Sequence, residues 1–453
     1  MPSLGVTSFR TLFGEDADVL RDRNFQLLLL ANVMGPLGPA LVSPVLDSLR
    51  GPFGATETAI GLLISAYIAP GIVMIPLAGV LADRYGRRIV LVVGLVLFGV
   101  GGTTIALTTD FRVALALRVV QGIGAAGIVP VVIASIGDVY EGTTEATAQG
   151  LRFTSSGVSQ TVFPALAGVL VAVAWQYPLL LYGLSIPIAA TIALRFDEPA
   201  RVRGRGRGSD GDDDGGGGGD DDHDDDGDGD GTPGEGTTIG RLARFVARPH
   251  VLALLVVFVT PPFLYIGFLT YVSVLVRLSG GTPGEAGLLV AVNSAVFAVA
   301  ASQAGRITAR FDSRLFPLVG TNAAMGLGLA IVAVTPLVVV AGVGAAILGV
   351  GFGITLSMYR SMATGLAPDD LRGGLVSLAE SVIRVGATLS PIVTGAVIAL
   401  AEPTLGFAAA TRWTVLGVGL VASGVGIAGL LVMDATAPEP DGADEGTAPE
   451  PDR

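Results

Sequence analysis

The chain has 453 residues, 51% of them apolar, a mean hydropathy of +0.68 and only 15% charged, against about a quarter charged in ordinary soluble domains. It has no Cys, which excludes disulfides, thiolate metal sites and Cys nucleophiles, and its two His (His223, His250) argue against a His-ligated zinc centre. All 27 basic residues are Arg and the net charge is -12, which excludes a general nucleic-acid binder and leaves a polytopic membrane protein.

Residues 1–24 are polar and of mixed charge, so they read as a cytoplasmic segment without a cleavable signal. Crossing a bilayer takes about 20 mostly apolar residues. Six such runs follow, near 25–46, 57–79, 88–109, 112–137, 150–173 and 176–195, giving an N-terminal bundle over 25–195. Six more lie near 249–277, 284–305, 314–335, 337–359, 374–401 and 405–432, giving a C-terminal bundle over 249–432. Continuous apolar runs exclude a β-barrel, whose strands alternate. The expected fold is therefore all-α, with 12 transmembrane helices. Of the 27 Arg, 21 fall in segments that share one side with the N-terminus and four on the other. By the positive-inside rule both termini are cytoplasmic, in a multi-pass plasma-membrane protein.

Between the bundles, 196–248 begins with Arg alternating with Val or Gly and continues with twelve Asp among Gly from Asp210 to Asp230. Such a composition cannot bury apolar surface and reads as a disordered acidic linker. Asp226–Gly231 imitates the start of a calcium loop, but Thr237 stands where that loop needs Glu, so no metal site is assigned. The Pro/Glu/Asp-rich tail, 433–453, also reads as disordered.

The halves repeat one another. At an offset of 227, Gly122-Ile-Gly124 maps onto Gly349-Val-Gly351, Pro164 onto Pro391 and Gly168 onto Gly395, and Gly79 maps onto Gly305 at 226. Two six-helix repeats joined by a linker imply a cavity near the bilayer midplane and alternating access. Gly-x-Gly in mid-membrane is not a dinucleotide site.

Gly79-Val-Leu-Ala-Asp83-Arg84-Tyr-Gly86-Arg87-Arg88 occupies the connection between spans 2 and 3. Gly79 suits close helix approach, Gly86 a tight turn, and Asp83 the positive end of a neighbouring helix. This segment resembles the loop 2–3 motif of the major facilitator superfamily at every defining position. Arg118-x-x-Gln121-Gly122-x-Gly124 resembles that superfamily's helix-4 motif, frequent in proton-coupled members. The resemblance implies that Asp83 latches the outward-open state by capping helix 11; Arg84, Arg87 and Arg88 as plain positive-inside anchors stay open beside that reading. It also implies that Arg118 and Gln121 take part in proton transfer; a purely structural Arg118 stays open beside that reading. In helix 5, Gly157, Pro164 and Gly168 match the drug/proton antiporter motif, but Phe163 and Ala167 replace two of its glycines.

Glu380 and Arg384 stand i,i+4 in span 11, where one face can hold both and each offsets the other's cost in hydrocarbon. Glu380 is the one carboxylate well inside a span. It is either the proton carrier, by burial, or half of a structural pair. Asp47, Glu57 and Asp138 fall at span ends, where capping explains them. Asn32, Tyr67, Gln160, Tyr265, Asn293 and Gln303 are the polar residues available to line a cavity, or to bond helix to helix. The sequence thus reads as a monomeric secondary transporter, not an enzyme and without a cofactor. The leading expectation is proton-coupled efflux of small organic, lipophilic compounds; a metabolite symporter or uncoupled facilitator is the alternative. The lysine-free, acid-rich usage resembles that of salt-loving archaea.

Overall fold

The computed structural model describes residues 19–198, 241, 244–311, 313–366 and 372–436. Among these residues there is no strand, and twelve helical units succeed one another. The first, α1, is a pair, Arg23–Met34 and Leu37–Val45, bent by 43°. The N-terminal half continues with α2 (Leu62–Tyr85), α3 (Arg87–Leu107), α4 (Phe111–Val139), α5 (Gly142–Leu170) and α6 (Tyr177–Arg195). The C-terminal half holds α7 (Pro249–Leu278), α8 (Pro283–Thr308), α9 (Leu315–Val334), α10 (Val338–Leu366), α11 (Arg372–Leu405) and α12 (Phe407–Thr436). Ten of these are long and apolar enough to cross a membrane, eleven with α1. The twelfth, α5, has the length, 29 residues, but carries Glu145, Gln149, Arg152 and a run of Ser and Thr in its first half.

Local signals start the helices where the chain places them. The Asp22 carboxylate accepts the Asn24 and Phe25 N–H groups ahead of α1, and Asp110 does the same for Arg112 and Val113 ahead of α4. Thr282 and Glu285 form a reciprocal capping box on α8, with Pro283 opening the first turn. Asp22 also accepts from the Tyr140 hydroxyl at 2.6 Å; burial, and then that bond, raise the phenol above its ordinary range.

Exposed Val, Leu and Ile cover the outer helix faces, the inverse of a soluble protein and the pattern of a surface solvated by lipid. Over an 18-residue apolar stretch of each, 72% of α7 is buried against 28% of α12, which sets α7 at the centre and α12 at the rim. The repeat is visible in the packing. A Cβ on Gly124 of α4 would lie 2.5 Å from the Gly94 carbonyl of α3, and one on Gly351 of α10, its repeat equivalent, 2.6 Å from the Thr321 carbonyl of α9. Backbones approach this closely only where the side chain is absent.

Three expectations change. The segment from Gly79 is not a loop: α2 runs on through Tyr85 and Gly86 alone, at φ +96°, turns the chain into α3. Val80-Leu-Ala continues the helix and only a residue free to adopt positive φ stops it. In α5 the helix begins at Gly142, well before the apolar run, and its polar first turns bury Ala148, Leu151 and Arg152. Residues at both edges of the acidic segment are folded: Phe196 and Phe245 are buried, and Glu198 holds the start of α3. The remainder of that segment, 1–18 and the tail beyond 436 lie outside the described residues.

Candidate transport site and gating segment

The two halves meet most closely toward the end that carries Asp47 and Glu57. There the Ser43 hydroxyl donates to the Leu269 carbonyl, the Asp47 N–H to Ser273 Oγ at 3.4 Å, and the Ser65 hydroxyl to the Thr388 carbonyl at 2.9 Å. Along α5 and α8 the seam is backbone against backbone. A Cβ on Gly168 would lie 2.5 Å from the Pro283 carbonyl, and one on Gly287 2.5 Å from the Pro164 carbonyl. Farther along, Gly157 faces Ala298, so the whole helix-5 motif lies on this seam. Toward the opposite end Gly79, Gly150 and Gly305 face open space. Close approach at Gly79 is therefore not made in this state.

Arg118 is 1% exposed, and among the described residues no carboxylate pairs with it. Its guanidinium donates to Gln121 Oε1 at 2.6 Å, to the Tyr182 hydroxyl at 3.4 Å and to the Gly38 carbonyl at 3.5 Å. The rings of Tyr182 and Tyr67 lie 5.4 and 5.8 Å from its central carbon. Cation–π contact and carbonyl dipoles thus replace a counter-ion, which leaves a fixed positive charge within the N-terminal half. Arg384 reaches across from α11: its Nη1 lies 2.8 Å from where a Gly71 Cβ would stand, one turn beyond Tyr67. Glu380 lies one turn before Arg384 on α11, half-buried. Two guanidinium groups from opposite halves therefore flank Tyr67.

The remaining cavity candidates separate into two kinds. Gln160 and Tyr265 meet across the halves, with the Tyr265 hydroxyl donating to Gln160 Oε1 at 3.5 Å. The Tyr265 ring stacks on Phe352 at 4.3 Å with planes 4° apart, and Phe297 adds a third ring 5.3 Å from Phe352. Asn32 and Asn293 are wholly buried within their own halves. Asn32 donates to the Arg152 carbonyl, Ser155 and Ser156, and Asn293 to the Ala345 carbonyl. Gln303 sits on the surface, accepting from Arg306 at 3.1 Å. A cavity of about 530 Å3 also opens among α7, α11 and α12, but its lining, Val259, Phe263, Val397, Trp413 and Val421 among others, comes from the C-terminal half alone.

In the Gly79–Arg88 segment Arg87 is the hub. It pairs with Asp83 at 2.8 Å and with Asp138 at 3.0 Å, so Asp138 serves an ion pair rather than a cap. The Asp83 side chain is 61% exposed and is directed to Arg87; the N-terminal flank of α11, which the latch reading needs, lies outside the described residues. Arg84 lies over the Tyr85 ring at 5.5 Å, and the Arg87 and Arg88 N–H groups donate to the Glu198 carboxylate. Sequence reasoning missed Glu198, Tyr182, Phe352 and Phe297. A Glu three positions after α6 was the available signal for the first; the others look like ordinary apolar core.

A sequence profile described as Major Facilitator Superfamily matches residues 28–391 and 279–450. Among characterised proteins, the bacillibactin exporter of Bacillus subtilis is 34% identical over 149 residues, 31% of this chain and 37% of that protein. Multidrug resistance protein 1 of the same organism is 28% identical over 38% of this chain and 45% of its own. The quinolone resistance protein NorA of Staphylococcus aureus is 30% identical over 31% and 37%. The chain thus aligns with well under two thirds of these relatives' lengths. A bacterial homologue of the human lysosomal transporter Spinster, solved inward-facing, superposes with a TM-score of 0.72 at 17% identity, covering 97% of this chain and all of that one. A D-xylose–proton symporter does so at 0.67 and 13%, covering 92% and 97%. With the fold shared along the chain and the profile covering most of it, this protein belongs to the major facilitator superfamily.

Proposed function

We propose that the chain is a secondary transporter of the efflux type, which moves small organic, lipophilic compounds by alternating access in exchange for protons. The observation that carries this is the seam between the two repeats, joined at the Asp47 end by hydrogen bonds from Asp47 and Ser65 to the other half. The matched stretches of exporters and resistance proteins support efflux. The Arg bias supports a cytoplasmic Asp83 end and cytoplasmic termini in a plasma membrane, and with the Asp47 end joined this supports an inward-open reading of the state. Arg118 and Gln121, with Tyr67 and Arg384, then stand where the halves exchange contacts. Glu380 is the group that takes and releases the proton. The unit of function is the single chain, with the bundles over 25–195 and 249–432 as its moving bodies. Its acidic, lysine-free composition suits molar salt.

One observation favours a second reading. Arg118 has no described carboxylate partner, so no acid–base pair accompanies it in the N-terminal half. A facilitator or metabolite symporter would need none.

The test uses protein purified into liposomes at high salt, with an interior pH dye, an imposed proton gradient and a panel of neutral and charged lipophilic compounds. Substrate-dependent proton movement that Glu380→Gln abolishes supports antiport. Substrate movement without a proton signal overturns coupling and selects the facilitator.

A further inference from the structure

Asp47 and Glu57 belong to the N-terminal half and Arg277 ends α7 of the C-terminal half, yet the three form one ion network with Arg50. Arg277 Nε lies 2.7 Å from Asp47 Oδ2 and its Nη2 lies 3.2 Å from Glu57 Oε1. Arg50, from the acids' own half, pairs with Asp47 at 3.2 Å and with Glu57 more closely. Two acids and one Arg leave the N-terminal patch one charge short of neutral, and Arg277 completes it. The nearby Arg412 is already committed within the C-terminal half, to the Ala333 and Thr335 carbonyls and to Ser279.

From this geometry we infer that Arg277 is a positioning residue of the transport cycle, the charge that bolts the halves together at the Asp47 end. The inference rests on the alternating-access reading above. Opening that end separates Arg277 from both acids, whereas the Arg50 pairs travel intact with their own half. The side chains are partly wet, 41% exposed for Arg277, 15% for Asp47 and 22% for Glu57. Each cross-half pair is therefore of modest strength, and the two together shift the ratio of the closed to the open end by about two- to thirtyfold. A bolt of that strength holds one state without freezing the cycle.

The absence of Cys allows spin labels to be placed cleanly. Gly51→Cys, with open space before its Cβ, and Thr404→Cys, exposed at the end of α11, report the separation at the Asp47 end by pulsed electron resonance. Arg277→Gln is expected to raise the long-distance population by the factor above. Arg277→Lys should keep most of the short one, and Asp47→Arg with Arg277→Asp should restore it. Arg50→Gln removes only pairs within one half and should leave the distribution in place. An unchanged distribution in Arg277→Gln, or an equal shift in Arg50→Gln, overturns the inference. Should Arg277→Gln fail to fold, the Lys variant and the charge swap decide. The distances are read without substrate or gradient, so a failed transport assay and a failed bolt are separate results.

Discussion

The Glu198 carboxylate closes the N-terminus of α3, one oxygen accepting the Arg87 N–H and the other the Arg88 N–H at 3.1 Å. A residue three positions after α6 thereby ties the end of the N-terminal bundle to the turn between α2 and α3. The negative group sits at the positive end of a helix and satisfies two donors with no partner inside it. Glu198→Ala should cost about 1 kcal/mol and lower the melting temperature by about 2–4 °C. Tryptophan fluorescence reads this, since Trp175 packs on Phe53 in the same half. An unaltered melting curve would show that the cap contributes nothing.

Arg118 depends on the Tyr182 hydroxyl, which itself donates to the Gly38 carbonyl at 2.7 Å. Hydrogen bonds to a charged group are worth about 1.5–3 kcal/mol each. Arg118→Ala should abolish transport and Arg118→Lys should lower it by about tenfold or more, because a point charge cannot hold Gln121, Tyr182 and Gly38 together. Tyr182→Phe should fall between Lys and the parent. These rates are compared in liposomes at matched amounts of folded protein. Full activity in Arg118→Ala would remove this residue from the transport site.

Asp83 and Arg87 form an ion pair that is largely solvated on the acid's side. Breaking it should cost under about 1 kcal/mol of stability. Asp83→Asn should nevertheless abolish transport if, as proposed, the carboxylate caps α11 in the opposite state. The separation of the two effects is the test: near-parental melting with lost transport supports the latch, while retained transport sinks it.

Gly168→Ala and Gly287→Ala each place a methyl group against a backbone carbonyl across the α5–α8 seam. Overpacking of this kind costs about 1–3 kcal/mol, and backbone cannot rotate away as a side chain can. Both variants should speed amide exchange in α5 and α8. Gly305→Ala, on the same α8 but facing open space, should not. Equal protection in all three would show that the seam is slack.

The all-helical fold, ten or eleven of the expected spans and the repeat were legible because hydropathy and glycine spacing act locally along the chain. The cross-half partners were not. Asp47 and Glu57 read as end caps because nothing near them in sequence announces Arg277, some 220 residues on, as the partner of both. Among the cavity candidates, periodicity could place Asn32 and Gln160 in a membrane but not tell which faces its own bundle and which the other half. The sequence-level reading of a continuous acidic segment missed Glu198 because composition averages over a window and one carboxylate does not alter it.

The polarity of α5 has a consequence for how the chain is made. A helix whose first three turns carry Glu145, Gln149 and Arg152 gains less from lipid than its neighbours, and among the twelve it alone falls short of the apolar length a span needs, even when α1 is taken as one span. Its polar flank finds a first partner in α1, through Asn32, but its seam with α8 can form only after residue 308 has been synthesised. Biogenesis of the N-terminal half is therefore completed by the C-terminal half. Nascent chains that end before α8 should leave α5 accessible to extraction and to membrane quality control, and full-length chains should not.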